Sequence, residues 1–221
     1  MDLFLSATYR EAEFLARWAG EELSFRGRRG LAGEGWVWLE TGVGKVNAAM
    51  TLAAFLAENP GVKRVLVFGL AGSYPGTGLH LGELVLAGEE VQADLGTRRG
   101  MRPLGFPALA VGGESYYNRF PPDPGYTAEL ARLLSLRPLP LATYDLVSES
   151  PEEAHRRRQR WGAAAENMEG AAVAQAALWL GLPWAELRAI SNQAGVRQKR
   201  FWAVDRAVDA LARAFFLMLA D

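Results

Sequence analysis

The amino-acid sequence predicts an α/β fold in which a central, mostly parallel or mixed sheet carries helices on both faces. Two observations lead to this prediction. Short apolar runs typical of strands alternate along the chain with longer segments in which apolar residues recur at helical spacing. One run, residues 65–68, is apolar throughout, as expected for a strand that is covered on both faces.

The N-terminal part of the chain predicts three strands and two helices. Phe14, Leu15 and Trp18 recur at helical spacing after a first apolar run, and residues 59–61 (NPG) give the second helix a clear end. The predicted elements are a strand at 3–7, a helix at 10–18, a strand at 36–39, a helix at 45–57 and a strand at 65–68.

The middle of the chain predicts one strand, at 84–87, and then a long irregular segment. Residues 89–124 are rich in glycine, proline and polar residues and show little periodicity. We interpret 89–124 as excursions and active-site loops.

The C-terminal part again alternates between the two patterns. The helix at 163–180 is apolar nearly all round, so we expect it to be buried. The arginine run within 151–161 is interpreted as a solvated face. The predicted elements are helices at 128–136, 151–161, 163–180 and 204–219 and strands at 141–148 and 184–190.

The composition limits the available chemistry and partners. The 221 residues include no cysteine and two histidines, which excludes thiolate nucleophiles and histidine-rich metal sites. The 24 basic and 25 acidic residues nearly balance, so we expect no binding to nucleic acid or to a membrane surface. We expect one domain, 1–221, and a cytoplasmic location, because neither a signal peptide nor a transmembrane span is evident.

Three polar residues stand in apolar surroundings. Glu169 precedes an alanine-rich segment, so it either caps a helix start or faces a polar ligand. Asn192 follows a buried strand, where ligands bind in open α/β sheets, yet a cap or turn is an equal alternative. Arg188 lies within that strand and needs an acceptor, which a structural salt bridge would supply.

Residues 41–45 (TGVGK) place two glycines before a helix, as phosphate loops do. The spacing excludes that motif, because one residue separates Gly42 from Gly44 and Val46 stands where a serine or threonine is required. The dinucleotide-binding fingerprint also lacks its third glycine. We interpret the segment as a glycine turn that packs a helix closely on a strand.

Five segments, taken in order, resemble the nucleoside phosphorylase and nucleosidase superfamily. Within it, the similarity is to the branch of methylthioadenosine/S-adenosylhomocysteine nucleosidases and futalosine hydrolases. The segments are 41–49 (TGVGKVNAA), 68–73 (FGLAGS), 81–85 (LGELV), 167–172 (NMEGAA) and 188–192 (RAISN).

This resemblance implies a nucleoside phosphorylase-like fold and a set of roles for individual residues. Glu11 matches the base that activates water, with Glu13 as the alternative, and Arg188 matches the arginine that helps to place the water. The substrate-binding residues implied are Glu169, on the ribose hydroxyls, Met168 under the sugar, the neighbouring Asn167, and Ala71 and Gly72, whose backbone flanks base and sugar. No metal or organic cofactor is implied.

Two departures from the family pattern bear on the substrate. Asn192 stands where methylthioadenosine nucleosidases carry an aspartate that protonates purine N7. An asparagine amide can donate to a 6-keto oxygen, so a 6-oxopurine fits better than adenine. Leu70 replaces a hydroxyl residue that often lies near the water.

The resemblance therefore implies hydrolysis of the N-glycosidic bond of futalosine, which releases hypoxanthine in menaquinone biosynthesis. Residues 92–119 are expected to meet the aromatic acid arm of the substrate, and a homodimer or larger homo-oligomer is expected. The alternatives are a methylthioadenosine/S-adenosylhomocysteine nucleosidase, a purine nucleoside phosphorylase and a non-catalytic nucleoside-binding protein.

Overall fold

The computed structural model describes residues 1–97, 105 and 107–220. Strands account for much of it. They are β1 Asp2–Ser6, β2 Glu21–Phe25, β3 Arg28–Gly33, β4 Trp36–Glu40, β5 Arg64–Ser73, β6 Leu84–Gln92, β7 Leu109–Val111, β8 Glu114–Tyr116, β9 Arg119–Phe120, β10 Leu139–Thr143, β11 Ala165–Asn167 and β12 Trp184–Gln193. The α-helices are α1 Lys45–Glu58, α2 Pro124–Leu134, α3 Pro151–Trp161, α4 Gly170–Trp179 and α5 Val204–Met218.

The main sheet is mixed, with the strand order β11-β10-β6-β12-β5-β1-β4-β3-β2. Strand β5 pairs in parallel with β1 and β12, whereas β12 pairs antiparallel with β6. Strand β11 also pairs with β5 on its other side, so five strands close into a ring. This closure brings the end of β11 next to the carboxyl ends of β5 and β12.

Helices cover both faces of the sheet, which confirms the predicted fold class. On one face α2 and α5 supply Leu130, Leu211 and Phe215 to the core. On the other face α1 and α4 supply Leu52 and Val173, and α4 is buried as expected. The start of α3 is set by a side-chain cap. Helix α3, predicted with the correct bounds, begins after Ser150, whose side chain accepts from Glu153 N–H at 3.2 Å.

The prediction of one helix at 10–18 is wrong. Two short 3-10 helices, Tyr9–Glu11 and Glu13–Arg17, occupy this segment. The carboxylate of Glu11 accepts from Thr8 N–H at 2.9 Å, and this capping bond holds the chain in a tight turn at its first helical residues. The following hairpin of β2 and β3 was not predicted, because most side chains of β2 are exposed and polar.

The prediction of one helix at 163–180 is also wrong in its first part. Residues 165–167 form β11, and α4 begins only at Gly170. The apolar residues before Asn167 are buried in the sheet, so they resemble a buried helix in sequence. The strand predicted at 141–148 lies earlier, at Leu139–Thr143.

The interpretation of 89–124 as excursions and active-site loops is wrong for the strands that lie within this range. Strand β6 runs on to Gln92, β7 and β8 form a hairpin, and β9 pairs with β6. Residues 98–104 and 106, within the predicted arm-binding range 92–119, lie outside the described residues.

Candidate active site

A cavity of about 250 Å³ opens where the carboxyl ends of β1, β5 and β12 meet β11. This edge of a sheet is where ligands bind in open α/β folds. Every predicted site residue except Arg188 lines it. The lining consists of Ala7, Thr8, Glu11, Val43, Leu70, Ala71, Gly72, Tyr144, Val147, Ser148, Glu166, Asn167, Met168, Glu169, Ser191, Asn192, Gly195, Arg197 and Trp202.

Glu11 is a buried carboxylate with fixed hydrogen bonds on both oxygens. Its Oε1 accepts from Leu70 N–H at 2.9 Å, and its Oε2 accepts from Thr8 N–H at 2.9 Å and Thr8 Oγ1 at 3.0 Å. Burial, and then the negative charge of Glu169, raise the pKa of Glu11 despite the opposing effect of these donors and of Arg188. A carboxylate of raised pKa is better suited to accept a proton near neutral pH.

Gly69 allows this carboxylate to approach β5. A Cβ atom at Gly69 would lie 2.5 Å from Glu11 Oε1 and 3.0 Å from Arg188 Nη1, and its φ of +156° also disfavours other residues. Gly69 therefore makes room for the oppositely charged side chains of Glu11 and Arg188.

Glu169 faces the cavity and does not cap α4 with its side chain. Its Oε1 accepts from Gly44 N–H at 3.0 Å, and its Oε2 lies 3.3 Å from Arg188 Nη1. The glycine turn at 41–45 thus does more than pack a helix on a strand, because the N–H of Gly44 holds the carboxylate of Glu169. The interpretation of Glu169 as a side-chain cap of the helix is therefore wrong, and its contact with a polar ligand stays a prediction.

The lysine of the same turn is engaged by acidic residues. Lys45 forms ion pairs with Asp94 and with Asp145, the latter at 3.2 Å. The backbone N–H of Lys45 also points to Asp145 Oδ1 at 3.5 Å. These contacts agree with the exclusion of a phosphate loop from the sequence.

Arg188 lies directly behind the cavity, with a residue exposure of 1 %. Its Nε donates to Glu186 Oε1 at 2.7 Å, and its two terminal nitrogens reach Glu169 Oε2 and Asn167 Oδ1, both at 3.3 Å. Burial alone would lower the pKa of Arg188, but Glu186 and Glu169 outweigh it and raise the pKa. Arg188 therefore stays charged and aims Glu169 from behind.

Asn167 fixes the chain at the start of α4. Its Oδ1 accepts from the N–H groups of Glu169 at 3.0 Å and Gly170 at 2.8 Å, while its Nδ2 donates to Glu90 Oε1 at 3.2 Å. Short amides commonly satisfy the free N–H groups of a helix start in this way. Asn167, predicted as a substrate-binding residue, thus bonds both the backbone that carries Glu169 and the side chains behind it.

Two buried carboxyl groups behind this network were not predicted. Glu90 and Glu186 are both 0 % exposed, and among the described residues the Oε2 atom of each has no hydrogen-bond partner. Burial, and then the charge of Glu186, raise the pKa of Glu90 well above its ordinary value. The neutral form of Glu90, which this shift favours, lowers the cost of burying this acid beside Glu186.

Asn192 lines the cavity at an irregularity in β12. The register with β5 shifts between Ile190 and Asn192, and such bulges re-aim side chains near binding sites. Its Oδ1 accepts from Ser191 Oγ at 2.8 Å, and its Nδ2 donates to Gln193 O at 3.1 Å. A Cβ atom at Gly72 would lie 3.2 Å from Asn192 Nδ2, so Gly72 keeps this amide accessible.

Glu166 is a further lining residue that was not predicted. It accepts from Ser148 N–H at 2.9 Å, from Ser148 Oγ at 2.7 Å and from Arg157 Nη1 at 3.2 Å. Arg157 also donates to Glu153 at 2.6 Å and is buried. The interpretation of the arginine run as a solvated face is therefore wrong for Arg157, because the helical spacing alone does not reveal a carboxylate supplied by β11.

The other predicted site residues differ in whether they line the cavity. Met168 and Ala71 line the cavity as expected. Glu13 does not line it and forms an ion pair with Arg10, which also pairs with Asp205. Of the two alternatives for the base, only Glu11 thus reaches the cavity.

Among the described residues, no group of three or more His, Cys, Asp or Glu side chains is arranged to hold a metal ion. No helix in the described part of the chain is long and apolar enough to cross a membrane.

Comparison with known proteins gives consistent matches. The family model of the phosphorylase superfamily matches residues 3–220. The futalosine hydrolase of Thermus thermophilus is 59 % identical over 221 residues, which cover 100 % of this chain and 96 % of that protein. The 5′-methylthioadenosine/S-adenosylhomocysteine nucleosidase of Mycobacterium bovis is 30 % identical over 175 residues, which cover 70 % and 68 %.

Among solved structures, that of futalosine hydrolase from Helicobacter pylori superposes with a TM-score of 0.83. The superposition covers 99 % of this chain and 97 % of that one at 23 % sequence identity. At this level of identity the match shows a shared fold.

Proposed function

The chain belongs to the phosphorylase superfamily, and from this premise we propose that the protein is an N-glycosidic hydrolase that cleaves futalosine. The observation that carries the proposal is the similarity to the Thermus futalosine hydrolase over the whole chain. The products of this reaction are hypoxanthine and dehypoxanthinyl futalosine. We place the reaction in menaquinone biosynthesis.

The reaction proceeds with a water molecule at Glu11. The oxygen of the water bonds to C1′ of the ribose, its proton passes to Glu11, and the bond from C1′ to N9 breaks with its electrons leaving on the base. The hypoxanthine anion then takes up a proton from solvent water, and Glu11 returns its proton to solvent. The fixed hydrogen bonds of Glu11 from Leu70 and Thr8 hold the carboxylate in place for this transfer. No metal or organic cofactor takes part.

The part of the cavity lined by Glu11, Met168 and Glu169, here named the sugar end, binds the ribose. Glu169 accepts from the ribose hydroxyls, and these bonds strengthen as positive charge develops on the ring. Arg188 acts through Glu169, because it lies behind the lining and holds Glu169 Oε2 at 3.3 Å. Met168 packs under the sugar.

The part lined by Gly72, Glu166 and Asn192, here named the base end, binds the purine. Asn192 donates from its amide to the 6-keto oxygen and stabilises hypoxanthine as it leaves. The backbone of Ala71 and Gly72 flanks the base and sugar. A 6-oxopurine satisfies this arrangement better than adenine, whose 6-amino group would face the same donor.

Hydrolysis is favoured over phosphorolysis by the position of the charged groups. Arg10, the cation nearest in sequence to the first strand end, is paired with Glu13 and Asp205. Among the described residues that line the cavity, Arg197 alone carries a positive side chain. Phosphate would therefore meet two carboxylates at the sugar end.

We also propose that residues 1–221 form one nucleosidase domain that acts in the cytoplasm as a homodimer or larger homo-oligomer, without nucleic acid or membrane. Val43, Val46, Met50 and Trp179 are large apolar side chains with about half or more of their surface exposed. Val46 and Trp179 share one groove, and Val43 also lines the active-site cavity. A second copy seated on this face would bury the apolar surface and lie beside the cavity.

Chromatography of futalosine after incubation with the purified protein in phosphate-free buffer tests the function. We expect hypoxanthine to appear, with methylthioadenosine cleaved far more slowly in a competition assay. Base release that requires added phosphate would indicate a phosphorylase. Preference for methylthioadenosine would indicate the related nucleosidase. Binding of futalosine without release of base would indicate a non-catalytic nucleoside-binding protein.

A further inference from the structure

Glu90 and Glu186 are two fully buried acids whose side chains meet behind the lining of the cavity. Glu90 lies on β6 and Glu186 on β12, and both are 0 % exposed. Neither residue lines the cavity, and the reaction proposed above gives them no part. Because burying two ionised carboxylates side by side is costly, their presence there needs a physical reason.

One oxygen of each carboxyl group is engaged by donors, and the other oxygen is not. Oε1 of Glu90 accepts from Thr143 Oγ1 at 2.5 Å and from Asn167 Nδ2 at 3.2 Å. Oε1 of Glu186 accepts from Arg188 Nε at 2.7 Å. The two Oε2 atoms find no donor among the described residues. A proton on one of these two oxygens would satisfy both, since the protonated oxygen donates and the other accepts.

The two carboxyl groups are close enough to share such a proton. A side-chain hydrogen bond links Glu90 to Glu186, and between two carboxyl groups this bond requires a proton on one of them. Gly170, the first residue of α4, leaves room for the pair. A Cβ atom at Gly170 would lie 2.4 Å from Glu186 Oε2 and 2.5 Å from its Oε1.

The surroundings of the two acids decide which of them keeps the proton. Glu186 contacts the guanidinium group of Arg188, which favours the ionised form of Glu186. The donors to Glu90 are uncharged, Thr143 of β10 and Asn167 of β11. Burial, and then the charge of Glu186, raise the pKa of Glu90, whereas Arg188 opposes this rise. The proton therefore resides on Glu90, and the negative charge on Glu186.

We propose that Glu90 and Glu186 share one proton between their Oε2 atoms and act as positioning residues that keep a single negative charge against Arg188. The inference rests on the proposed function and extends it to the groups behind the cavity. Arg188 also interacts with the charges of Glu169 and Glu11. Without an anion at its Nε, the guanidinium charge would act more strongly on Glu169 and weaken that carboxylate as an acceptor for the ribose hydroxyls.

Two variants of equal size place the negative charge differently. Glu90→Gln keeps Glu186 ionised against Arg188, and its amide donates to Glu186 Oε2 as the proton does. Glu186→Gln keeps an acceptor for Arg188 Nε but removes the anion. We expect kcat on futalosine to be about tenfold lower in Glu186→Gln than in Glu90→Gln. Equal values of kcat in the two variants would show that the pair only fills space, and would overturn the positioning role.

Infrared spectroscopy detects the shared proton without any substrate. With ¹³C in the side-chain carboxyl groups of glutamate, a protonated glutamic acid gives a C=O stretching band that the ionised form lacks. We expect such a band in the wild type at neutral pH, and we expect Glu90→Gln to lose it. Glu11→Gln is the control and should keep the band, because burial also raises the pKa of Glu11.

The infrared and kinetic results separate this inference from the proposed function. The shared proton is overturned if the wild type lacks the band, or if no band is kept in Glu11→Gln and lost in Glu90→Gln. If the wild type releases no hypoxanthine from futalosine, the proposed function fails, and the infrared result still decides whether Glu90 and Glu186 hold the proton.

Discussion

The carboxylates of the sugar end and the amide of Asn192 at the base end differ in how firmly they are held. At the sugar end, Glu11 and Glu169 are buried, and each accepts hydrogen bonds on both oxygens. At the base end, Asn192 is half-buried, and its bonds to described residues go to its sequence neighbours Ser191 and Gln193. The two carboxylates are thus held by groups from other segments of the chain, whereas the amide of Asn192 is held within its own segment.

This difference leads to separate expectations for the two ends. Changes at the sugar end should lower turnover for every substrate, because charge develops on the sugar in the transition state. Changes at the base end should alter which base is accepted.

The largest effect is expected from Glu11→Gln. The amide keeps the shape of the side chain but cannot accept the proton of water, so base release should fall by roughly a hundredfold to ten-thousandfold. Single-turnover assays of hypoxanthine release measure it, and binding of futalosine should be largely kept. Glu13→Gln is the control, and near-normal turnover of Glu11→Gln would show that another group is the base.

Glu169→Gln should lower kcat as well as weaken binding, by about tenfold to a hundredfold in kcat/KM. The charged acceptor for the ribose hydroxyls is lost, and Arg188 is left with one fewer carboxylate. A 2′-deoxy substrate should then lose little more in the variant than in the wild type. Fully additive losses would mean that Glu169 supports the start of α4 without touching the hydroxyl.

Asn192→Asp should move the ratio of kcat/KM toward the 6-amino analogue by at least about tenfold at neutral pH. An ionised carboxylate would face the 6-keto oxygen with no donor between them, whereas a 6-amino group can donate to it. Parallel assays on the two substrates give the ratio. If the ratio does not change, Asn192 has a structural role in the bulge of β12.

The smallest effect is a shift in pH dependence. Glu11 must be ionised to act as a base, so kcat/KM should fall as the pH drops through its pKa, which is raised above the ordinary 4.5. The negative charge of Glu169 is the second cause of that rise, after burial. In Glu169→Gln the acid limb should therefore lie at lower pH than in the wild type. A limb that moves to higher pH would contradict this coupling.

Much of the sugar end could be predicted from sequence because its residues stand in continuous segments. Glu169 lies in 167–172 and Arg188 in 188–192, and both segments follow patterns that resemble the superfamily. The order of strands and helices was likewise readable where caps and breaks are local, as at Ser150 before α3. The predicted fold class and the predicted hydrolase activity are confirmed by the comparisons.

The groups that were missed depend on contacts between distant strands. Glu90 and Glu186 become a buried pair only because β6 and β12 are neighbours. Glu166 reaches the cavity because the three-residue strand β11 closes the ring against β5. A strand of that length carries too few residues to show a period, so the sequence favoured a helix across it.

The most direct test of the division between the two ends is a comparison of Glu11→Gln and Asn192→Asp on futalosine and on its 6-amino analogue. For each protein, kcat/KM is measured on both substrates in phosphate-free buffer. We predict that Glu11→Gln lowers both efficiencies by the same factor and leaves their ratio unchanged, while Asn192→Asp moves the ratio by at least about tenfold. A changed ratio in Glu11→Gln together with equal losses in Asn192→Asp would contradict the account.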